Sequence, residues 1–144
     1  MSSIKILMVD DSEGDILLAR EAVEDLDLDV ELDVVKDGEK ALQYIFKEDK
    51  YTDVTTPDLI LLDINLPKMS GIEVLKKIKS DTTSQTIPVI ILSTSSSKND
   101  IERAYSNYAN CYIIKPDSAD KITETVEAIE SFWVGLSSLP PHDM

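Results

Sequence analysis

The chain has little of what several kinds of active site require. It holds one cysteine, Cys111, so no disulfide can close within it. Cys111 opens the apolar stretch Cys111-Tyr112-Ile113-Ile114 and reads as a small buried residue rather than a reactive thiol. The one histidine, His142, lies in a proline-rich tail, which leaves a His-based metal site or a Ser-His-Asp triad little to draw on. Positive charge is scarce: 14 Lys and Arg face 28 Asp and Glu, a formal net charge of -14. That balance repels phosphate backbones and anionic membranes, so neither nucleic acid nor a membrane surface is expected as a partner. No apolar run approaches the roughly 20 residues of a membrane span, and no signal peptide opens the chain, so a cytoplasmic location is expected.

What is present suits one globular domain. The 144 residues can enclose a full hydrophobic core, and an apolar fraction of 42% is ordinary for a folded protein. Strand-like apolar runs alternate five times with helical patterns, the mark of stacked βαβ units. The first strand covers residues 4 to 9, and a helix from about Ser12 carries Ile16, Ala19, Val23 and Leu26. Val30, Leu32 and Val34 alternate as in a half-buried edge strand. Asp37-Gly38 makes a turn before a helix marked by Ala41, Leu42, Ile45 and Phe46, and residues 48 to 57 read as a loop. Leu59 to Leu62 is a run with no alternation, as in a strand covered on both faces. Ile72, Leu75 and Ile78 mark the next helix; Val89 to Leu92 follows as a strand, then a helix near 99 to 108 with Ile101, Ala104, Tyr105 and Tyr108. The fifth strand is 111 to 114, and the last helix aligns Ile122, Val126, Ile129, Trp133 and Leu136 before Leu139-Pro140-Pro141 breaks it. The expected fold is α/β: a flavodoxin-like, doubly wound, five-stranded parallel sheet in the order 2-1-3-4-5 with helices on both faces.

Four of the five strands end on a functional polar group: Asp10-Asp11, Asp63, Ser93 and Lys115. In that strand order the first and third strands are neighbours at the topological switch point, where such sheets place their ligands. Asp10, Asp11 and Asp63 then share one pocket, and each carboxylate raises the pKa of the others unless a cation neutralises them. An all-oxygen shell selects Mg²⁺, with Mn²⁺ as a substitute, over zinc. A carboxylate beside such a cation can act as a nucleophile toward phosphorus, with Lys115 and Ser93 as donors to the phosphoryl oxygens. The chemistry expected is phosphoryl transfer onto Asp63 and later hydrolysis of the mixed anhydride. Taken singly, Asp10-Asp11 reads as a helix cap, and Lys115 as a solvated surface group. The conjunction at strand ends of one polarity is what points to a site.

These residues resemble the receiver domain of two-component response regulators. The motifs are Val9-Asp10-Asp11-Ser12, Leu61-Leu62-Asp63-Ile64-Asn65-Leu66-Pro67 with Gly71, Leu92-Ser93, and Tyr112-Ile113-Ile114-Lys115-Pro116, and the resemblance spans about residues 4 to 130. It implies a receiver domain over residues 4–134 with a short tail at 135–144. It implies that Asp63 is the phosphoacceptor, Asp11 a direct metal ligand, and Asp10 the acid holding a water of the metal's shell. The backbone carbonyl of Asn65 would complete that shell. Ser93 matches the switch hydroxyl, Tyr112 the switch aromatic, Lys115 the site lysine, and Pro116 the proline that usually follows it through a cis bond. Thr94 stands where many receivers have alanine or glycine, so its β-branched side chain is expected to narrow access to the site. Ile64 leaves no tryptophan beside it.

A closer resemblance is to single-domain regulators partnered with bacterial phytochromes and related sensor kinases. It rests on Asn110-Cys111-Tyr112, Glu130-Ser131-Phe132-Trp133, Leu139-Pro140 and the polar segment from Glu48 to Pro57. It implies a sensor histidine kinase, phytochrome-like, as partner. Eleven residues follow Trp133, so the response is expected to be read from the receiver surface, at the face of the fourth helix, fifth strand and fifth helix. Phe132 and Trp133 are adjacent on a helix and point apart, which leaves a homodimer contact open. The chain is expected to be no enzyme beyond its own phosphorylation and dephosphorylation. Two other readings remain open: a degenerate receiver acting as a phosphorylation-independent interaction module, and a phosphatase of the haloacid dehalogenase type. The latter needs Asp-x-Asp on its first strand, whereas here Asp63 follows the third and Asn65 replaces the second acid. An FMN site lacks support, because no Ser/Thr/Gly-rich phosphate loop follows the first strand.

Overall fold

The computed structural model describes residues 4–25 and 29–131. Five strands, β1 (Ile4–Val9), β2 (Val30–Val35), β3 (Leu59–Leu62), β4 (Val89–Ser93) and β5 (Cys111–Ile114), alternate with five helices. These are α1 (Glu13–Glu24), α2 (Gly38–Ile45), α3 (Gly71–Ser80), α4 (Lys98–Ser106) and α5 (Ala119–Glu130). The strands form one sheet, β2-β1-β3-β4-β5, and every neighbouring pair is parallel. The expected fold and strand order are both observed.

Strand register decides where the site forms. Val9 lies opposite Leu62, Leu62 opposite Ile91, and Ser93 opposite Ile114. The chain therefore leaves β1, β3, β4 and β5 at one common rim. All four residues of β3 are buried, because each face of the sheet is covered. On one side Leu7, Val9, Ile60, Leu62 and Ile91 pack with Ala41, Ile72, Leu75 and Ala104 of α2, α3 and α4. On the other, Ile6, Met8, Leu61 and Leu92 pack with Ile16, Ala19 and Ala22 of α1 and Val126 and Ile129 of α5.

The helices begin where short polar side chains can satisfy their first N–H groups. Ser12 caps α1, Asp37 α2, Ser70 α3 and Ser97 α4, each accepting the N–H three residues on. At the amino end of the sheet lies a buried polar network. Lys5 Nζ meets Asp33 Oδ2 at 3.3 Å and lies 5.7 Å from the centre of the Tyr44 ring. The Tyr44 hydroxyl donates to the same Asp33 oxygen, and Tyr44 packs its ring 5.3 Å from that of Tyr51.

Several expectations are corrected. Ala22 is the third buried residue of α1, and Val23, expected there, is half-buried beside it, since positions three and four past Ala19 both lie near the buried face. Gly38 is the first residue of α2 rather than part of a turn, since Asp37 caps the helix. The 48–57 segment contains a 3₁₀ turn, Asp49–Tyr51. Helix α4 ends at Ser106, so Tyr108, at φ 70°, projects into solvent (75% exposed), and Tyr105 is also exposed. Cys111 is only half-buried, because β5 is an edge strand. No peptide bond among the described residues is cis, Lys115–Pro116 included; the trans form is the commoner one even before proline. The expectations for Leu26, Phe132, Trp133, Leu136 and the tail at 135–144 lie outside the described residues.

Candidate functional site

The acids predicted at the strand ends converge. Carboxylate oxygens of Asp10, Asp11 and Asp63 all lie within 4.8 Å of one another. Asp10 and Asp63 are buried, and Asp11 is exposed at the mouth. Asp10 follows β1 directly, and its amide donates to the Val35 carbonyl at 3.1 Å, so the β1–β2 ladder carries it to the rim. Asp63 follows β3, and its amide donates to the Val9 carbonyl at 3.0 Å. The two residues are thus fixed by backbone bonds to neighbouring strands, Asp10 to β2 and Asp63 to β1.

Each buried carboxylate is held at both oxygens. Asp10 Oδ1 accepts the Ser12 N–H at 2.9 Å, and its Oδ2 accepts from Lys115 Nζ at 2.7 Å. Asp63 Oδ1 accepts the Ile64 N–H at 2.7 Å, and the Asn65 N–H is directed at it from 3.4 Å. Asp63 Oδ2 accepts from Lys115 at 3.1 Å. Asn65 is exposed on this loop, two residues beyond Asp63. Gly71 is required by the same loop: a Cβ there would lie 2.0 Å from the Asp63 carbonyl oxygen, and the Gly71 N–H donates to the Ile64 carbonyl at 2.8 Å. Gly38 supports it from the side, where a Cβ would lie 2.5 Å from the Met69 carbonyl oxygen.

Lys115 arrives from β5, tied by its amide to the Ser93 carbonyl at 2.7 Å. Its side chain is 3% exposed. Burial alone would pull its pKa down, but hydrogen bonds to Asp10 and Asp15 and the charges of Asp10 and Asp63 more than offset this, so the ammonium is held firmly charged. Asp10 is pushed up from the ordinary carboxylate range, first by burial and also by the charge of Asp63, against the pull of Lys115. Both directions fit a pocket in which one ammonium faces an excess of carboxylates. Ser93 is fully buried; its hydroxyl oxygen accepts the Ser95 N–H at 3.3 Å, and the hydroxyl also interacts with Tyr112. Tyr112 is anchored at both ends. Its hydroxyl donates to the Ser95 carbonyl at 2.7 Å, and its N–H donates to the Tyr105 hydroxyl at 3.0 Å. Burial raises its pKa.

Sequence reasoning missed one member of the pocket. Asp15 Oδ2 meets Lys115 Nζ at 2.8 Å. An acid in the first turn of a helix is the ordinary partner of the helix dipole, and that ordinary role hid this one. Its spacing, one helical turn past Asp11, was the available signal. Thr94 is exposed.

The donor set is suited to a hard divalent cation. It offers clustered carboxylate oxygens and no imidazole or thiolate, and its one buried ammonium does not balance its charge.

A doubly wound sheet with this acid cluster and lysine at its carboxyl rim defines the receiver class of signalling domain. Residues 6–127 match the family model of the response regulator receiver domain, and the chain belongs to that family. It is 38% identical to the response regulator Rcp1 of Synechocystis sp. (strain ATCC 27184 / PCC 6803 / Kazusa), over 94% of this chain and 92% of Rcp1. Its fold matches the crystal structure of the phosphorylated cyanobacterial phytochrome response regulator RcpA with a TM-score of 0.95 at 42% identity, covering 97% of this chain and 100% of RcpA. It matches the Mn²⁺-bound form of Rcp1 with a TM-score of 0.93 at 37% identity, covering 96% and 99%. The chain is thus a receiver-domain response regulator homologous to phytochrome response regulators. No helix among the described residues is long and apolar enough to cross a membrane.

Proposed function

We propose that this response regulator accepts a phosphoryl group on Asp63 from a sensor histidine kinase in the cytoplasm, in a Mg²⁺-dependent reaction. The observation that carries this reading is the sharing of one buried ammonium between Asp63 and Asp10 beside Asp11. RcpA, a phosphorylated phytochrome response regulator, supports a phytochrome-like kinase as partner. The Mn²⁺-bound form of Rcp1 supports a divalent cation here. Asp10, Asp11 and Asp63, with the Asn65 carbonyl, would hold that cation, which would screen charge between carboxylate and phosphoryl oxygens when bound.

The chain's own groups divide the remaining work. Asp63 Oδ1 is held by the Ile64 N–H of its own loop and Oδ2 by the Lys115 ammonium, the longer contact; Oδ2 is taken as the oxygen whose lone pair bonds to phosphorus while the bond to the donor's leaving atom breaks. Lys115 is adjacent to Oδ2 and donates to a phosphoryl oxygen as charge spreads there. Ser93 donates its hydroxyl hydrogen to a second. The protein catalyses only this self-modification and its reversal by water, and in that sense is no enzyme.

The signal leaves through the β4–α4 loop. Ser93 and Tyr112 both bond to Ser95 in that loop, so a shift of Ser93 toward a phosphoryl oxygen bears on Tyr112. The face of α4, β5 and α5 carries the change. Inverting a two-state population needs about 5.5 kcal/mol of differential stabilisation, and charge-assisted bonds at about 1.5–3 kcal/mol each reach that sum when several act together. Intact-mass measurement after incubation with acetyl phosphate and Mg²⁺ tests the reading. Wild type gains one phosphoryl group and Asp63→Asn gains none. A wild type that gains nothing favours the degenerate, phosphorylation-independent receiver.

A further inference from the structure

We infer that Asp15 is a positioning residue for Lys115, an inference that rests on the phosphoacceptor reading above. The Lys115 ammonium lies within ion-pair distance of three carboxylates: Asp10 at 2.7 Å, Asp15 at 2.8 Å and Asp63 at 3.1 Å. Two of these acceptors have another task. Asp10 and Asp63 belong with Asp11 to the oxygen cluster that suits a cation, and Asp63 Oδ2 is the oxygen that bonds to phosphorus. Asp15 is outside that cluster and is the acceptor with no second task at the pocket. It can therefore keep hold of the ammonium throughout the reaction.

The anchor itself is rigid. Asp15 is in the first turn of α1, and its N–H donates to the capping Ser12 hydroxyl at 3.3 Å. The α1 helix packs against the sheet through Ile16 and Ala19, so the carboxylate is borne on a fixed element. Its side chain is 18% exposed, turned inward to a lysine one hundred positions along the chain. Service to the helix dipole does not require this, because exposed Glu13 already supplies an acid to the same turn. Held by Asp10 and Asp15 at the two shorter distances, the ammonium stays beside the Asp63 oxygen. The longest of the three contacts is the one to be exchanged for a phosphoryl oxygen.

A double-mutant cycle tests this in the full chain, with acetyl phosphate and Mg²⁺ as reagents and intact mass as the readout. Asp15→Asn is expected to slow labelling about tenfold, the value of roughly one charge-assisted hydrogen bond. Magnesium affinity, measured by titration calorimetry, is expected to change by less than about threefold, since the residue is not in the cation cluster. In a Lys115→Ala background, with incubation extended until its slow labelling is measurable, Asp15→Asn is expected to have no further effect. Asp15→Glu restores the carboxylate and recovers most of the loss. Equal rates for wild type and Asp15→Asn, or an undiminished effect without Lys115, overturn the inference while leaving Asp63 as acceptor. A wild type that takes no label overturns both.

Discussion

The sheet has a buried lysine at each end, and the two ends treat it differently. At the amino end, the Lys5 ammonium pairs with Asp33, which also accepts a tyrosine hydroxyl; the Lys5 amide donates to Asp58, and an aromatic face lies beside the lysine. At the carboxyl end, Lys115 meets three carboxylates, with Asp11 beside them. Both lysines are buried to a similar degree, 8% and 7% exposed. The amino-end network shares its carboxylates among an ammonium, a tyrosine hydroxyl and a backbone amide, and serves the fold. The carboxyl-end cluster carries negative charge beyond what its lysine can neutralise, which costs stability and creates a demand for a cation. A buried charge thus marks function through its imbalance rather than its burial.

The largest effect comes from removing each lysine in turn. Lys5→Ala is expected to cost about 3 kcal/mol in urea unfolding, because the buried lysine stem leaves a cavity and half-exposed Asp33 loses its ion pair, and Mg²⁺ should not recover it. Lys115→Ala is expected to cost stability in chelator as well, but to regain much of the loss when Mg²⁺ is added. Equal responses of the two variants to Mg²⁺ would erase the distinction between the two ends. The wild type itself should gain about 2.7 kcal/mol at a Mg²⁺ concentration one hundred times its dissociation constant. Asp11→Asn should remove most of that gain, as read by thermal unfolding across a Mg²⁺ series.

A smaller effect is expected at Gly71. Gly71→Ala forces a Cβ against the Asp63 carbonyl, at a cost of about 2 kcal/mol and with slower labelling, because the loop holding Asp63 must shift. The smallest serves as a control at the carboxyl rim but outside the acid cluster. Ser97→Ala removes the cap of α4 and should cost about 1 kcal/mol or less, with the Mg²⁺ response unchanged.

The sheet and most of the rim were legible in the sequence because both follow from burial. Strand β3 reads as an unbroken apolar run since both its faces are covered, and Asp63 is conspicuous at its end. The same holds for Asp10 after β1. Asp15 was not legible, since an acid in the first helical turn already has an ordinary explanation and only the reach of Lys115 from the end of β5 gives it a second. Tyr105 and Tyr108 were placed on an apolar stripe by spacing, but α4 stops at Ser106 and the chain turns at Tyr108. Cys111 looked buried from its apolar neighbours, which in an edge strand are themselves partly exposed. Lys5 drew no notice, because a lysine within a strand reads as solvent-facing until Asp33 and Tyr44 are seen across from it.

If the unbalanced carboxyl rim brings a cation and a phosphoryl group together at Asp63, an acyl phosphate forms on that side chain and only with the cation. Borohydride reduction after acetyl phosphate treatment, followed by peptide mapping, tests it at the residue itself, since an acyl phosphate is reduced to an alcohol where it formed. The expected product is a reduced side chain at residue 63 in Mg²⁺ and none in chelator. Reduction at another acid, or an equal yield at residue 63 without divalent cation, would contradict the account.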